Sequence, residues 1–416
     1  MGRRRVFISA GELSGDIVGA RLVTELRRRD PGIHLFGTGG RRMADAGLEI
    51  DTDTNDIGVV GVTEALATLP SVVRAYRSIR RRVLEVEPTV AVLIGNDVFN
   101  VFLARSLGKL GIPTIAFFPP QVWVWRALAG FIARSYDAII TSFPDEHAVY
   151  RAADATALVS FVGHYLVEDL HPVTPAERTA ARRALDLPDD ARVIGLLPGS
   201  RSNEWSSLMP VMLDAVRELE RRQPGMRFVA AAAETVNDSA VAAMMAGKDR
   251  ATNLQVSRDS RTVMRSADLL LMASGTATLE AALLNVPMVI AYKVSAITNL
   301  CVRAAIRLGL IDAYRVGLPN LVLGHYAIPE ALQGRATGAI VAGEAWSVLS
   351  DPSRTLAMQT ALAGVAARLE GNHPIEEVAN TVLSWADGKR SRIARASRFI
   401  RPVSRPRRPL RATEPD

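Results

Sequence analysis

The stretch DLLLMASGTATLEAALLNVPMVIAY, residues 268 to 292, is the most apolar window of the chain. Glu280, Asn285 and Pro287 interrupt it, and a membrane span does not tolerate that set of breaks. The same letters read as a buried strand, a turn of Ser, Gly and Thr, a helix and a second strand. Strands that are apolar without alternation are covered on both faces, so this unit belongs to a parallel sheet with crossover helices.

Working outward, the pattern repeats. Strands are expected at RVFISA (5–10), HLFGTG (34–39), TVAVLIG (89–95), PTIAFF (113–118), AIITSF (138–143) and ALVSFVG (157–163), with helices from Asp16 to Arg29 and from Ser71 to Val86. Near Leu187 a second start follows: PDDARVIGLLPGS is a turn, a strand and a Gly-Ser loop, continued by RFVAAAA, DLLLMA and PMVIAY. The fold class is α/β, with two Rossmann-like domains whose parallel sheets face a central cleft, the place where open sheets bind ligands. The expected division is 1–168, then 169–365, then a helix at 366–388 packing back toward the first domain, then a basic tail at 389–416.

A length of 416 residues exceeds one ordinary core. Cys301 is the only cysteine, which excludes a disulfide within the chain and a cysteine-built zinc site. The net charge of +7 is unevenly placed. Ten Lys or Arg and no acid lie between Lys389 and Arg411; without them and the two acids that follow, the first 388 residues carry −1. Prolines 402, 406 and 409 make the second half of that tail read as disordered. It is either a solvated tail or an attachment to an anionic membrane surface, and nothing else in the chain resembles a nucleic-acid module. The opening MGRRRVFISAGELSGD lacks the long apolar run of a signal peptide, so a cytoplasmic protein is expected.

Two loops of the second domain suit a phosphorylated ligand. In ASGTATLE a strand ends at Ser274, Gly275 and Thr276, and a helix opens through Ala277 and Thr278, an arrangement that gathers N–H groups and hydroxyls for an anion. Glu280 lies one turn on, placed for ribose hydroxyls or merely solvated. In LLPGSRSNEW, Ser200 and Arg201 follow the strand, and a guanidinium there can meet phosphate or base. Asn320 in YRVGLPNLVLG is a third contact or a turn residue. Neither a G-x-x-x-x-G-K-[ST] loop nor a G-x-G-x-x-G fingerprint is present.

The first domain offers a different set. GELSGD follows the first strand and places Glu12, Ser14 and Asp16 at the cleft mouth, where Asp16 is either a helix cap or a catalytic group. Asp97, after Gly95 and Asn96, is likewise a cap or a base, and Asn100 follows it. FFPPQVWVWR puts Trp123 and Arg126 on a loop, costly unless they pack a ligand or partner. The apolar GVVGVTEALATLP is either core or a mouth for acyl chains. His164 ends the last strand as a structural residue or a catalytic one, and no metal pattern joins it to the other five histidines.

In order along the chain, GELSGD, VGVTEAL, VFN followed by VWVWR, FPDE, FVGH, LPGSR, SGTATLEAALLNVPMVIAYKVS, LPNLVLG and PEALQ resemble the lipid-A-disaccharide synthase family, from Arg5 to about Trp385. The resemblance implies a glycosyltransferase of the GT-B type. It implies inverting transfer of 2,3-diacylglucosamine from UDP to 2,3-diacylglucosamine 1-phosphate, without a metal or other cofactor. It also implies peripheral association with the inner face of the cell membrane and a homodimer. The first domain would hold the acyl chains and the acceptor, and the second would hold the UDP-sugar.

The departures are local. Leu13, Pro119, Asp145 and Tyr165 replace the family's usual alanine, serine, phenylalanine and proline. Matched without a gap, the column of the family's catalytic base falls on Val98, and Asp97 stands one residue earlier. Asp97, Asp16 and His164 are therefore the candidate catalytic residues. A transferase for another acceptor, or a catalytically silent UDP-sugar-binding scaffold, are the alternatives.

Overall fold

The computed structural model describes residues 4–11, 13–53, 62–95, 97–122, 126–154, 158–234, 236–239, 241–242, 253–294, 296–308 and 315–388. The first sheet contains β1 (Arg5–Ala10), β2 (His34–Gly39), β3 (Glu49–Asp53), β4 (Val90–Ile94), β5 (Thr114–Phe117), β6 (Ala138–Thr141) and β7 (Leu158–Phe161), in the order β3-β2-β1-β4-β5-β6-β7. The second contains β8 (Val193–Leu197), β9 (Arg227–Ala231), β10 (Leu254–Ser257), β11 (Leu269–Ala273), β12 (Met288–Tyr292) and β13 (Glu330–Leu332), in the order β10-β9-β8-β11-β12-β13. Every pairing in both sheets is parallel.

In each sheet the strand order reverses once, between β1 and β4 and between β8 and β11, and such switch points open a crevice at the carboxyl ends of the strands. Register places the loops there side by side. Ala10 pairs with Ile94, and Met272 pairs with Leu197, so each pair of strands ends nearly level.

Side-chain alternation along β1 explains why the first sheet is covered on both faces. Val6, Ile8 and Ala10 face the helix Leu13–Arg29 through Val18, Leu22 and Leu26. Phe7 joins Ala91, Leu93, Ile79 and Leu103 in a second core on the opposite face. Each fully buried aliphatic or aromatic side chain of this kind contributes about 1.5–3 kcal/mol. The first core runs on through Tyr165, Leu166 and Leu170 into the second unit without a break.

The chain crosses between the units twice. Outbound, it passes from β7 through the short 3-10 turn Tyr165–Glu168 to the helix Pro175–Ala184, opened by a reciprocal Thr174 and Glu177 capping box. On its return, the helix Pro374–Ala386 lies against the helix Leu13–Arg29 and β4. Arg29 donates to Glu376 at 3.0 Å, and Arg4 donates through Nε to Asp387 at 2.7 Å. The crossings touch backbone to backbone. A Cβ on Gly371 would sit 1.9 Å from the Val162 carbonyl oxygen, and one on Gly163, where φ is +83°, would sit 2.6 Å from Gly371 Cα.

Three strands escape the sequence reading. β3 is EIDTD, β13 is three residues long, and both lie at sheet edges; β10 is the four-residue edge LQVS. Edge strands bury less, so their apolar signal is weak. The helix expected from Ser71 begins at Val62 and carries Pro70 inside it, and the one expected from Asp16 begins at Leu13. The stretch 54–61 and the tail 389–416 lie outside the described residues.

Candidate active-site cleft

At the first switch point a buried polar chain sets the loop geometry. Thr38 donates to the Ser9 hydroxyl at 3.1 Å, and Ser9 donates to Asn100 Oδ1 at 2.9 Å. Asn100 Nδ2 then donates to the carbonyls of Ile94 and Gly95 at 3.2 and 2.7 Å. Gly95 turns with φ at +57°, and the chain enters the helix Asp97–Lys109. Asn100 is wholly buried, so its amide braces the turn beneath Asp97 from inside the fold. Val98, in the column of the family's base, is 57% exposed. Asp97 opens that helix; its side chain, and all of Glu12 and Trp123, lie outside the described residues.

Asp16 is not a free carboxylate at the cleft mouth. It is buried, and it accepts from the N–H groups of Gly40, Arg42 and Met43 at 2.8, 3.1 and 3.1 Å. It thus caps the helix Arg41–Asp45, a neighbour of the helix that carries it. Ser14 stands exposed in the first turn of Leu13–Arg29, and Arg126 stands exposed in the 3-10 turn Arg126–Leu128.

His164 departs from the catalytic reading for a different reason. Its ring is buried against Tyr165, Phe118 and Phe143, with centroids 4.9, 5.2 and 5.5 Å away. Its Nδ1 accepts from the Leu166 N–H at 3.3 Å, and the backbone N–H of His164 donates to the Leu369 carbonyl on the returning crossing. Burial pushes its pKa down to about 3, so the imidazole is neutral and a weak base. Its place is the packing of the interdomain crossing.

At the second switch point the loop after β8 is closed by its own carboxylate. Glu204 Oε2 accepts from the Ser200 and Arg201 N–H groups at 3.0 and 3.3 Å. It fills the space beside Gly199, where a Cβ would come within 2.3 Å of it. The backbone donors of this loop, which was expected to meet phosphate through the Arg201 guanidinium, are therefore taken. The Arg201 guanidinium stands 3.5 Å from Glu204, and its side chain is 42% exposed.

The loop after β11 is only partly as expected. Ser274 donates to the Val316 carbonyl at 2.7 Å, and Thr278 donates back to the Gly275 carbonyl at 2.7 Å. Both hydroxyls thus serve the loop itself. Thr276 makes no side-chain cap, and the N–H groups of Gly275, Thr276 and Ala277 head the short helix Ala277–Leu283. Glu280 pairs with Arg261, Nε to Oε2, at 2.8 Å.

Asn320 belongs to the framework behind this loop. Its Nδ2 donates to Ile328 O at 2.8 Å and Glu330 Oε1 at 2.7 Å, and its Oδ1 accepts from the Ala327 and Ile328 N–H groups at 2.9 Å each. Those four bonds exhaust an amide, and the residue is wholly buried. Asn320, expected in a loop, stands in the short helix Leu318–Leu323, and the turn that leads into this helix supports the β11 loop, with Ser274 resting on the Val316 carbonyl.

Sequence reasoning missed Arg261, Glu204 and Glu330, each of which positions another residue. Only Glu204 had a local signal, lying three residues into the helix after Arg201, where a carboxylate meets the free N–H groups. Among the described residues no three of His, Cys, Asp and Glu converge as a metal site, and no helix is long and apolar enough to cross a membrane.

A family model described as lipid-A-disaccharide synthetase matches residues 6–373. A lipid-A-disaccharide synthase of Geobacter metallireducens is 36% identical over 389 residues, 93% of this chain and 98% of its own. That of Alcanivorax borkumensis is 37% identical over 368 residues, 88% of this chain and 94% of its own. Among solved structures, the UDP-GlcNAc 2-epimerase of Neisseria meningitidis bound to UDP-GlcNAc superposes with a TM-score of 0.58 at 12% identity, covering 92% of this chain and 99% of that one. Acinetobacter baumannii MurG superposes with a TM-score of 0.53 at 15% identity, over 92% and 100%. At such identity the likeness establishes the fold, and the two facing parallel sheets are of the GT-B type.

Proposed function

Because the chain belongs to the lipid-A-disaccharide synthase family, we propose that it transfers 2,3-diacylglucosamine from UDP to 2,3-diacylglucosamine 1-phosphate, inverting the anomeric centre and releasing UDP. It is a glycosyltransferase of lipid A biosynthesis. The reading is carried by the match over residues 6–373, and it is supported by the loops of both switch points, since open parallel sheets bind ligands at such points.

In the proposed mechanism Asp97 accepts the proton of the acceptor hydroxyl as that oxygen bonds to the anomeric carbon. The bond to the diphosphate breaks, and Arg201 with the N–H groups of Gly275 to Ala277 stabilises the leaving charge. Ser274 and Thr278 hold that loop, Glu280 receives the ribose, and Asn320 acts through the framework behind them. Ser14 and Arg126 border the acceptor side, together with Glu12 and Trp123 of the undescribed stretches, and the buried Asn100 acts from behind by bracing the turn that leads to Asp97. Asp16 and His164 are assigned no proton transfer, given their burial and partners.

The test is UDP release from UDP-2,3-diacylglucosamine with a panel of acceptors. Asp97→Ala should lower kcat by at least a hundredfold, and undiminished turnover in that variant would remove Asp97 from the mechanism. Saturable UDP binding without release to any acceptor would overturn the transferase reading. The apolar, exposed Val98 favours a second reading, transfer to another lipid or sugar acceptor, and a preference within the same panel would establish it.

The proposal includes a homodimer and peripheral attachment to an anionic membrane surface through the tail. Attachment is supported by exposed Arg74, Arg77, Arg80 and Arg81 on the helix Val62–Val86, beside exposed Val73 and Leu84. Deleting residues 389–416 should weaken binding to anionic vesicles, and light scattering gives the mass in solution.

A further inference from the structure

Glu280 reaches its place with help. Its Oε2 accepts from Arg261 Nε at 2.8 Å. Arg261 stands in the first turn of the helix Ser260–Ser266, whose start is fixed by Asp259: one carboxylate oxygen accepts from the Arg261 and Thr262 N–H groups at 3.0 Å each, and the other accepts from the Thr262 hydroxyl. The guanidinium therefore approaches from an anchored base.

On another side, the helix Ala277–Leu283 that carries Glu280 touches the turn Tyr165–Glu168 of the interdomain crossing. Tyr165 is buried there, with Arg21 stacked over its ring at 5.0 Å. Burial first, and then the Glu280 carboxylate, push the Tyr165 phenol up to about 12.

The Arg261 and Glu280 side chains are 38% and 21% exposed, and an ion pair so open to water adds little to stability. What it does fix is direction. One carboxylate oxygen is held by Arg261, and the other, which accepts no hydrogen bond among the described residues, is left for a ligand.

We propose that Arg261 is the positioning residue of the donor subsite, holding the Glu280 carboxylate in the orientation that receives the ribose hydroxyls of a uridine nucleotide. This inference rests on the ribose role proposed for Glu280. In this role Arg261 acts through Glu280, the side chain it bonds, rather than on phosphate or base.

The test is calorimetric titration of the full chain with UDP and with 2′,3′-dideoxy-UDP, for the native protein, Arg261→Met, Arg261→Lys, Glu280→Gln and the Met/Gln double variant. Losing the clamp obliges the nucleotide to order a free carboxylate, so Arg261→Met should weaken UDP binding by about two- to tenfold. Glu280→Gln should weaken it by about tenfold or more. In the Gln background Arg261→Met should add nothing, because the two residues act as one unit.

Dideoxy-UDP affinity should not change with Arg261→Met. Arg261→Lys, which keeps the charge without the planar nitrogen, should fall between native and Met and serves as the readout if the Met variant folds poorly. An equal loss for UDP and dideoxy-UDP in the Arg261 variants would place Arg261 on the phosphate or base and overturn the inference. So would unchanged UDP affinity in those variants while Glu280→Gln is impaired. No effect of Glu280→Gln on UDP would instead overturn the ribose role itself.

Discussion

His164 should stay uncharged through the whole range in which an ordinary histidine titrates. In the folded chain burial depresses its pKa from 6.5 to about 3, while in the unfolded chain it returns to the ordinary value. Between those values the unfolded state carries a proton that the folded state refuses. The stabilising contribution is complete above pH 6.5 and is lost progressively as the pH falls from 6.5 toward 3. The slope is about 1.4 kcal/mol per pH unit, so near pH 5 the loss amounts to about 2 kcal/mol.

The assay compares native protein with His164→Asn. The asparagine carbonyl lies where Nδ1 accepts from Leu166, so the cap survives while the titrating ring is gone. Absolute stability at pH 7 will be lower in the variant for lack of packing. The readout is the change between pH 7 and pH 5 in urea unfolding, which should be about 2 kcal/mol larger in the native protein. Imidazole NMR gives the same answer directly, since the signal absent from His164→Asn should not shift down to about pH 4. A midpoint near 6.5, or equal pH losses in the two proteins, would refute the reasoning.

Asp16→Asn leaves one acceptor oxygen for three N–H groups and removes the charge that strengthens them. It should cost about 2–4 kcal/mol of stability in thermal melts, with kcat per folded molecule preserved; a lost kcat in a stable variant would return Asp16 to the chemistry. Asn320→Ala strands several buried donors and acceptors behind the β11 loop. It should lower the melting temperature steeply, and an intact melting temperature with abolished UDP binding would make Asn320 a direct ligand. Gly371→Ala meets the Val162 carbonyl at 1.9 Å and should force the two crossings apart, costing about 3 kcal/mol or more, and small-angle scattering should show a wider particle.

The sheets were legible in the sequence where strands are central. TVAVLIG, RVIGLLPGS and DLLLMA are apolar without alternation because both faces are covered, and length and flanking loops distinguish them from helices. β3 and β13 were not legible, since an edge strand such as EIDTD keeps polar side chains and reads as a loop. The four loops of the cleft were found because a Gly or Ser within two residues of the end of an apolar run marks a strand's carboxyl end. What no local pattern revealed was where their side chains go. Asp16 caps a helix 25 residues downstream, Asn320 turns inward to Ile328 and Glu330, and Arg261 meets Glu280 from a different element. Those directions are fixed by tertiary packing, and the same carboxylate or amide is equally at home in water, in a cap or on a ligand.

The returning helix Pro374–Ala386 has a consequence for synthesis. Its buried Ile375, Val378, Val382 and Trp385 close over a sheet whose last strand ends at Phe161. About 210 residues separate the two, and at 5–20 residues per second the ribosome takes roughly 10–40 s to deliver the cover. For that interval the nascent first unit carries an open apolar seam along Leu13–Arg29 while the second unit is still being made. Newly made chains are thus most exposed to aggregation and to chaperone capture before residue 386 emerges, and a chain stopped after the second sheet would never leave that condition.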